Sequence, residues 1–81
     1  MDRMQALNQL SGIMREVLDD PSVTLTPATT AGDVEGWDSM TNISFLVEVE
    51  RRFGVKFRTA EIEEMRNVGD MLDMIASKKS A

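Results

Sequence analysis

In this 81-residue chain the side chain best placed for chemistry is a serine that follows an aspartate where a helix should begin. Within Gly36-Trp37-Asp38-Ser39-Met40, Asp38 has the character of an N-cap, because its carboxylate can accept hydrogen bonds from the unpaired N–H groups of a first turn. Ser39 then takes the first helical position, within reach of solvent. Its hydroxyl is poorly equipped to catalyse anything. A serine nucleophile needs an adjacent base and an oxyanion site, and the chain has no histidine. An aspartate with an ordinary pKa of about 4 is too weak a proton acceptor to replace it. Lys56, Lys78 and Lys79 are distant in sequence. No catalytic residue is therefore expected, and a hydroxyl offered to another protein as a site of modification fits better.

The helix that must position Ser39 carries apolar residues on two faces. At about 100° per residue, Phe45, Leu46, Val49 and Phe53 gather on one face. Met40, Ile43 and Val47 gather on a second, roughly 150° away. A surface helix needs one apolar stripe, so the second is either covered by another helix or kept open for a partner. Gly54 is a natural residue to end this helix.

Two further helices and a short one are legible. Met4, Leu7, Leu10, Met14, Val17 and Leu18 recur at helical spacing from Arg3 to Leu18, a stripe expected to be core. Asp19-Asp20-Pro21 should stop that helix, because a residue before proline avoids helical angles. The connection from 19 to 37 is long and carries Pro21, Pro27, Gly32 and Gly36, with Val23, Leu25 and Val34 as expected anchors to the core. After Gly54, Val55 and Phe57 alternate with Lys56 and Arg58 in an extended connector. Thr59 is the expected cap of a short helix from Ala60 to about Met65. Asn67 is the expected cap of a last helix bearing Val68, Met71, Leu72 and Ile75, with fraying expected from Ser77 onward. Residues 1–81 therefore read as a single all-α domain, a bundle of three longer helices and one short one, with a long loop between the first two.

Composition narrows the function. The net charge is −5, and the eight acids Glu16, Asp19, Asp20, Asp33, Glu35, Asp38, Glu48 and Glu50 lie in a segment without Lys or Arg. Arg51, Arg52, Lys56 and Arg58 follow with no acid between them. That balance disfavours nucleic acid and favours partners with basic docking surfaces. Asp33, Glu35 and Asp38 miss the calcium-loop spacing, and without cysteine or histidine no metal site is expected. No apolar run approaches a membrane span and the N-terminus lacks a signal pattern, so a cytoplasmic monomer is the expectation.

Asp38-Ser39-Met40 at a helix start after a long loop, with Gly36-Trp37 before it and Phe53-Gly54-Val55 after it, resembles the attachment motif of the acyl carrier protein family. The matching layout extends over nearly the whole chain. The resemblance implies a 4′-phosphopantetheine arm from coenzyme A on the Ser39 hydroxyl, flanked by Asp38 and added by a phosphopantetheinyl transferase. Acyl-loading and acyl-processing enzymes would be the further partners. It implies that Met40, Ile43, Val47, Glu50 and Arg51 serve docking, and that Phe45, Leu46, Val49, Phe53, Ile62 and Leu72 line an acyl-chain pocket. Carriers of primary fatty acid synthesis usually bear acids along the second helix. Here Ser44 is neutral and Arg51 and Arg52 are basic, which points to a specialised fatty acid, polyketide or modified lipid pathway. A carrier of amino acids, including D-alanine, or an unmodified helical interaction module are the alternatives.

Overall fold

The computed structural model describes residues 2–80, and its first helix starts where an acidic side chain can hold it. The Asp2 carboxylate accepts the Gln5 N–H at 2.8 Å, opening α1 at Arg3–Leu18. Helix α2 spans Ser39–Phe53, α3 Thr59–Glu64 and α4 Val68–Ser80, with a single 3-10 turn at Ala31–Asp33 in the long connection. No strand occurs among the described residues.

The end of α1 departs from the proline argument. Asp19 adopts the left-handed conformation at φ 51°, and the Asp20 N–H bonds the Arg15 carbonyl at 3.0 Å. The helix thus closes on itself in the manner that glycine usually serves, before the restriction imposed by Pro21 on Asp20 comes into play. Gly54 fills the same role after α2, at φ 69°, with its N–H on the Glu50 carbonyl at 2.9 Å.

One core joins all the long helices. Leu10, Ile13 and Met14 of α1 meet Phe45, Val49 and Phe53 of α2 and Val68, Met71, Leu72 and Ile75 of α4. Leu25, Val55 and Phe57 enter from the connections. Burying each such side chain fully is worth about 1.5–3 kcal/mol. Met4, expected in this core, is 66% exposed, because at about 100° per residue it lies off the face of α1 that is buried. The buried stripe of α1 runs instead through Ala6, Leu10, Ile13 and Met14, with Leu7, Val17 and Leu18 at its edge.

Polar side chains of α1 hold the long connection. The buried Ser11 hydroxyl accepts the Leu25 N–H at 3.1 Å, and Arg15 Nε donates to the Val23 carbonyl at 2.6 Å. The connection in turn receives the start of α4. Val68 and Gly69 donate their N–H groups to the Thr29 and Pro27 carbonyls at 2.9 and 2.7 Å, satisfying donors that a helix start leaves unpaired. A Cβ on residue 69 would stand 2.9 Å from the Pro27 oxygen, so this approach requires glycine. Asn67 accepts the Asp70 N–H at 2.8 Å as the expected cap.

Two boundaries differ from the sequence reading. Arg58 rather than Thr59 is the residue before α3, since the Glu61 carboxylate reaches back to the Arg58 N–H at 2.8 Å. The segment from Ser77 stays helical through Ser80, and Ala81 lies outside the described residues. Two lysines explain this. Lys78 Nζ contacts both Glu61 oxygens at 2.9 and 3.0 Å, and Lys79 Nζ donates to the Phe53 carbonyl at 2.9 Å. The last turn of α4 is thereby tied to α3 and to the carbonyl end of α2, where a cation is also favoured by the helix dipole.

Candidate functional site

The site is built from the five residues that turn the long connection into α2. Asp38 has extended backbone angles, and one of its carboxylate oxygens accepts the N–H groups of Met40 and Thr41, each at 3.0 Å. Thr41 returns the bond: its hydroxyl oxygen accepts the Asp38 N–H at 2.7 Å. The same hydroxyl reaches the Gly36 carbonyl at 2.8 Å. This reciprocal arrangement is a capping box with threonine in the place usually taken by Glu or Gln, which hides it from a search for that pattern. The Thr41 N–H, then the Thr41 hydroxyl and the Met40 N–H, hold the Asp38 carboxyl below the usual aspartate range. A carboxylate so engaged is an even poorer base than a free one.

Ser39 follows as the first residue of α2, exposed, and its hydroxyl makes no hydrogen bond within the described residues. Nothing beside it completes a catalytic set. Among the described residues no cluster of acidic side chains could hold a metal ion.

The two apolar faces of α2 separate cleanly. Phe45, Leu46, Val49 and Phe53 are buried. Met40, Ile43 and Val47 are 79%, 64% and 54% exposed, so no other helix covers the second face. Leu72 is buried beside the first face, and Ile62 packs at the edge of the core. Arg51 is exposed and bonds the Glu48 carboxylate at 2.9 Å. Arg52 also pairs with Glu48, at 3.3 Å, and reaches Glu16 on α1. Arg51 is therefore at the open end of the exposed stripe, whereas Arg52 ties α2 to α1. Glu50, expected as a docking contact, is half-buried and accepts the Phe57 N–H at 2.8 Å, which fastens the α2–α3 connector.

Trp37 could have lain against the bundle or in the approach to Ser39. It does both. Its indole N–H donates to Asn42 Oδ1 at 3.0 Å, and its ring meets Phe45 edge-on, with centroids 5.4 Å apart. Asn42 was not legible as a partner, because a contact across a helix start has no sequence periodicity.

This geometry has counterparts among known proteins. Residues 8–75 match the family described as the phosphopantetheine attachment site. The chain is 29% identical over 77 residues to an acyl carrier protein of Acidothermus cellulolyticus, covering 95% of this chain and 92% of that one. It is 29% identical over 82 residues to an acyl carrier protein of Thermosynechococcus vestitus, spanning 100% of both. The solution structure of a holo acyl carrier protein from Geobacter metallireducens matches with a TM-score of 0.86 at 36% identity, covering 95% of this chain and 88% of that one. The chain belongs to the phosphopantetheine-binding acyl carrier family. It is a carrier with a phosphopantetheine prosthetic group and not an enzyme. Proteins of this family work with phosphopantetheinyl transferases and acyl-processing enzymes. No described helix is long and apolar enough to cross a membrane.

Proposed function

We propose that Ser39 carries the 4′-phosphopantetheine arm, and that residues 1–81 act as one carrier domain for a specialised acyl, polyketide or modified lipid pathway. The observation that carries this reading is an exposed, unbonded hydroxyl at the first position of α2, next to an open apolar stripe. When bound, the group supplies a terminal thiol on which acyl chains are held as thioesters. The chain's own residues hold and present it. Asp38 and Thr41 fix the helix start, so the serine sits at a defined point on a rigid element. The positive end of α2 offsets the charge of a phosphodiester at Ser39 and part of its repulsion by Asp38.

Docking follows from the exposed stripe. Met40, Ile43 and Val47 offer apolar contact and Arg51 a cation, with the transferase and the acyl-processing enzymes as occupants in turn. Asp38 and Glu50 join that surface only at its margin, because each already binds backbone N–H groups. Phe45, Leu46, Val49, Phe53, Ile62 and Leu72 wall the interior against which an acyl chain would lie. The absence of acids from Ser39 to Val47 and the cation Arg51 support a specialised pathway over primary fatty acid synthesis. The reading includes a cytoplasmic monomer, which fractionation and sedimentation check.

Incubation with coenzyme A and a broad-specificity transferase tests the attachment. Wild type should gain the mass of one arm and Ser39→Ala none. Loading of the alanine variant, or none of the wild type, would falsify the assignment. The mass of cargo on protein isolated from its host separates acyl from aminoacyl transfer.

A further inference from the structure

The chain has no cysteine, so before any arm is attached the methionine thioethers are its only sulfur. Among the described methionines, Met14 and Met71 are buried and Met65 and Met74 half-buried. Only Met4 and Met40 stand in solvent, at 66% and 79% exposure. These two are placed very differently. Met4 belongs to α1 and has no part in the open stripe of α2. Met40 directly follows Ser39, with successive Cα atoms about 3.8 Å apart. It also heads the open stripe, with Ile43 and Val47 behind it at helical spacing. Its backbone is fixed, because its N–H donates to the Asp38 carboxylate at 3.0 Å. A partner that sits on the stripe and reaches the Ser39 hydroxyl therefore meets the Met40 thioether in the same contact.

We propose that Met40 is a site of reversible oxidation that sets how readily the carrier is loaded. This rests on the Ser39 assignment above and on the open stripe as the surface the transferase covers. The oxidant is hydrogen peroxide. A lone pair on the Met40 sulfur attacks one peroxide oxygen, and the O–O bond breaks as an S–O bond forms. The proton of the transferred oxygen passes to the departing hydroxide, which leaves as water. Sulfur loses two electrons and the peroxide gains them. The sulfoxide so formed turns a flexible apolar side chain into a polar one. In water its oxygen is hydrated. An apolar partner surface strips that hydration without supplying a donor, which opposes docking. Met40 carries the effect and Met4 does not, because only Met40 lies in the stripe. Its exposure also spares the fold, whereas the same change at the buried Met14 would disrupt the core. A thiol-dependent sulfoxide reductase returns the thioether, the oxygen leaving as water while two thiols become a disulfide.

The test treats the full apo chain with dilute hydrogen peroxide, removes the excess with catalase and maps the added oxygen by peptide mass. Met40 and Met4 should each gain one oxygen well before Met14 and Met71, with helical circular dichroism unchanged. The oxidised chain is then loaded from coenzyme A by the broad-specificity transferase. Each protein is compared with its own unoxidised form, so the effect of a substitution by itself cancels. Oxidation should slow the loading of wild type and of Met4→Leu about tenfold at limiting carrier, as expected for a polar group covered without a partner. It should barely change the loading of Met40→Leu. A sulfoxide reductase with dithiothreitol should restore the wild-type rate. Equal loss in Met40→Leu, no loss in wild type, or a Met40 oxidised no faster than Met14 overturns the proposal. Unoxidised chain that takes no arm at Ser39 removes the Ser39 reading together with this one, whereas normal loading indifferent to oxidation removes only the role of Met40.

Discussion

The inner and outer faces of α2 are both apolar, yet one is almost wholly buried and the other stands largely in solvent. Phe45, Val49 and Phe53 meet α1 and α4, while Met40, Ile43 and Val47 are each more than half exposed. Residue type does not separate them. What separates them is where α1 and α4 lie, since two neighbouring helices can cover only one side of a third. An exposed row of three large apolar side chains is unusual on a small carrier unless something reads it. The inner face maintains the fold, and the outer face stands open to solvent.

Breaking the inner face should produce the larger effect on stability. Phe53→Ala should lower unfolding free energy by about 3–5 kcal/mol, because a fully enclosed ring leaves a cavity. That is a large share of the ~5–15 kcal/mol typical of a domain. Denaturant unfolding measures it, and a midpoint that hardly moves would remove Phe53 from the core. On the outer face, Ile43→Glu or Val47→Glu should stay within about 0.5 kcal/mol of wild type, as surface substitutions do. The same variants should weaken turnover with the cognate enzyme. Loss of helical circular dichroism instead would mean that the stripe is covered.

The start of α2 can be separated from both faces by pH. The Asp38 carboxyl sits below its ordinary pKa through the Thr41 and Met40 N–H groups, and Asp33 and Glu61 are lowered in the same sense by Thr30 and Arg58 N–H groups. Such groups stabilise the fold fully above their unfolded pKa, and that contribution disappears as pH falls through the lower folded value. Urea midpoints should therefore decline below about pH 4. Asp38→Asn, which keeps a good capping residue without the titration, should flatten part of that decline. Identical acid limbs in the two proteins would show that Asp38 does not contribute.

The smallest effect should come from the cations at the end of α2. Arg51→Glu should change exchange with a partner in a salt-dependent way, because Arg51 ends the exposed stripe. Arg52→Glu should alter exchange less, since Arg52 is held between Glu48 and Glu16. Equal rates for both variants and wild type across salt concentrations would leave Arg51 without a part in docking.

Much of this was legible because it is local. Helical periodicity and capping chemistry depend on residues within one or two turns, so α1 starts at Arg3 and α2 runs from its cap Asp38 to Gly54 as read. The same locality made Ser39 conspicuous, as a hydroxyl at a helix start with no base beside it. Contacts between distant segments were not legible. That Met4 faces solvent while Ile13 is enclosed depends on the placement of α4 against α1. That α4 continues past Ser77 depends on Lys78 meeting Glu61 and Lys79 meeting the Phe53 carbonyl, 17 and 26 residues away. Glu50 turned out to fasten a connector because the chain reverses after Gly54 and brings the Phe57 N–H to it. Trp37 meets Asn42 and Phe45 at the end of a loop that Ser11 and Arg15 hold against α1. By itself the sequence determined the helices, the caps at Asp38, Gly54 and Asn67, and the exposed serine, whose causes lie within a few residues. Which apolar faces are covered, and which polar groups are already engaged, was decided by the tertiary structure, because burial is a property of what packs against a residue and not of the residue.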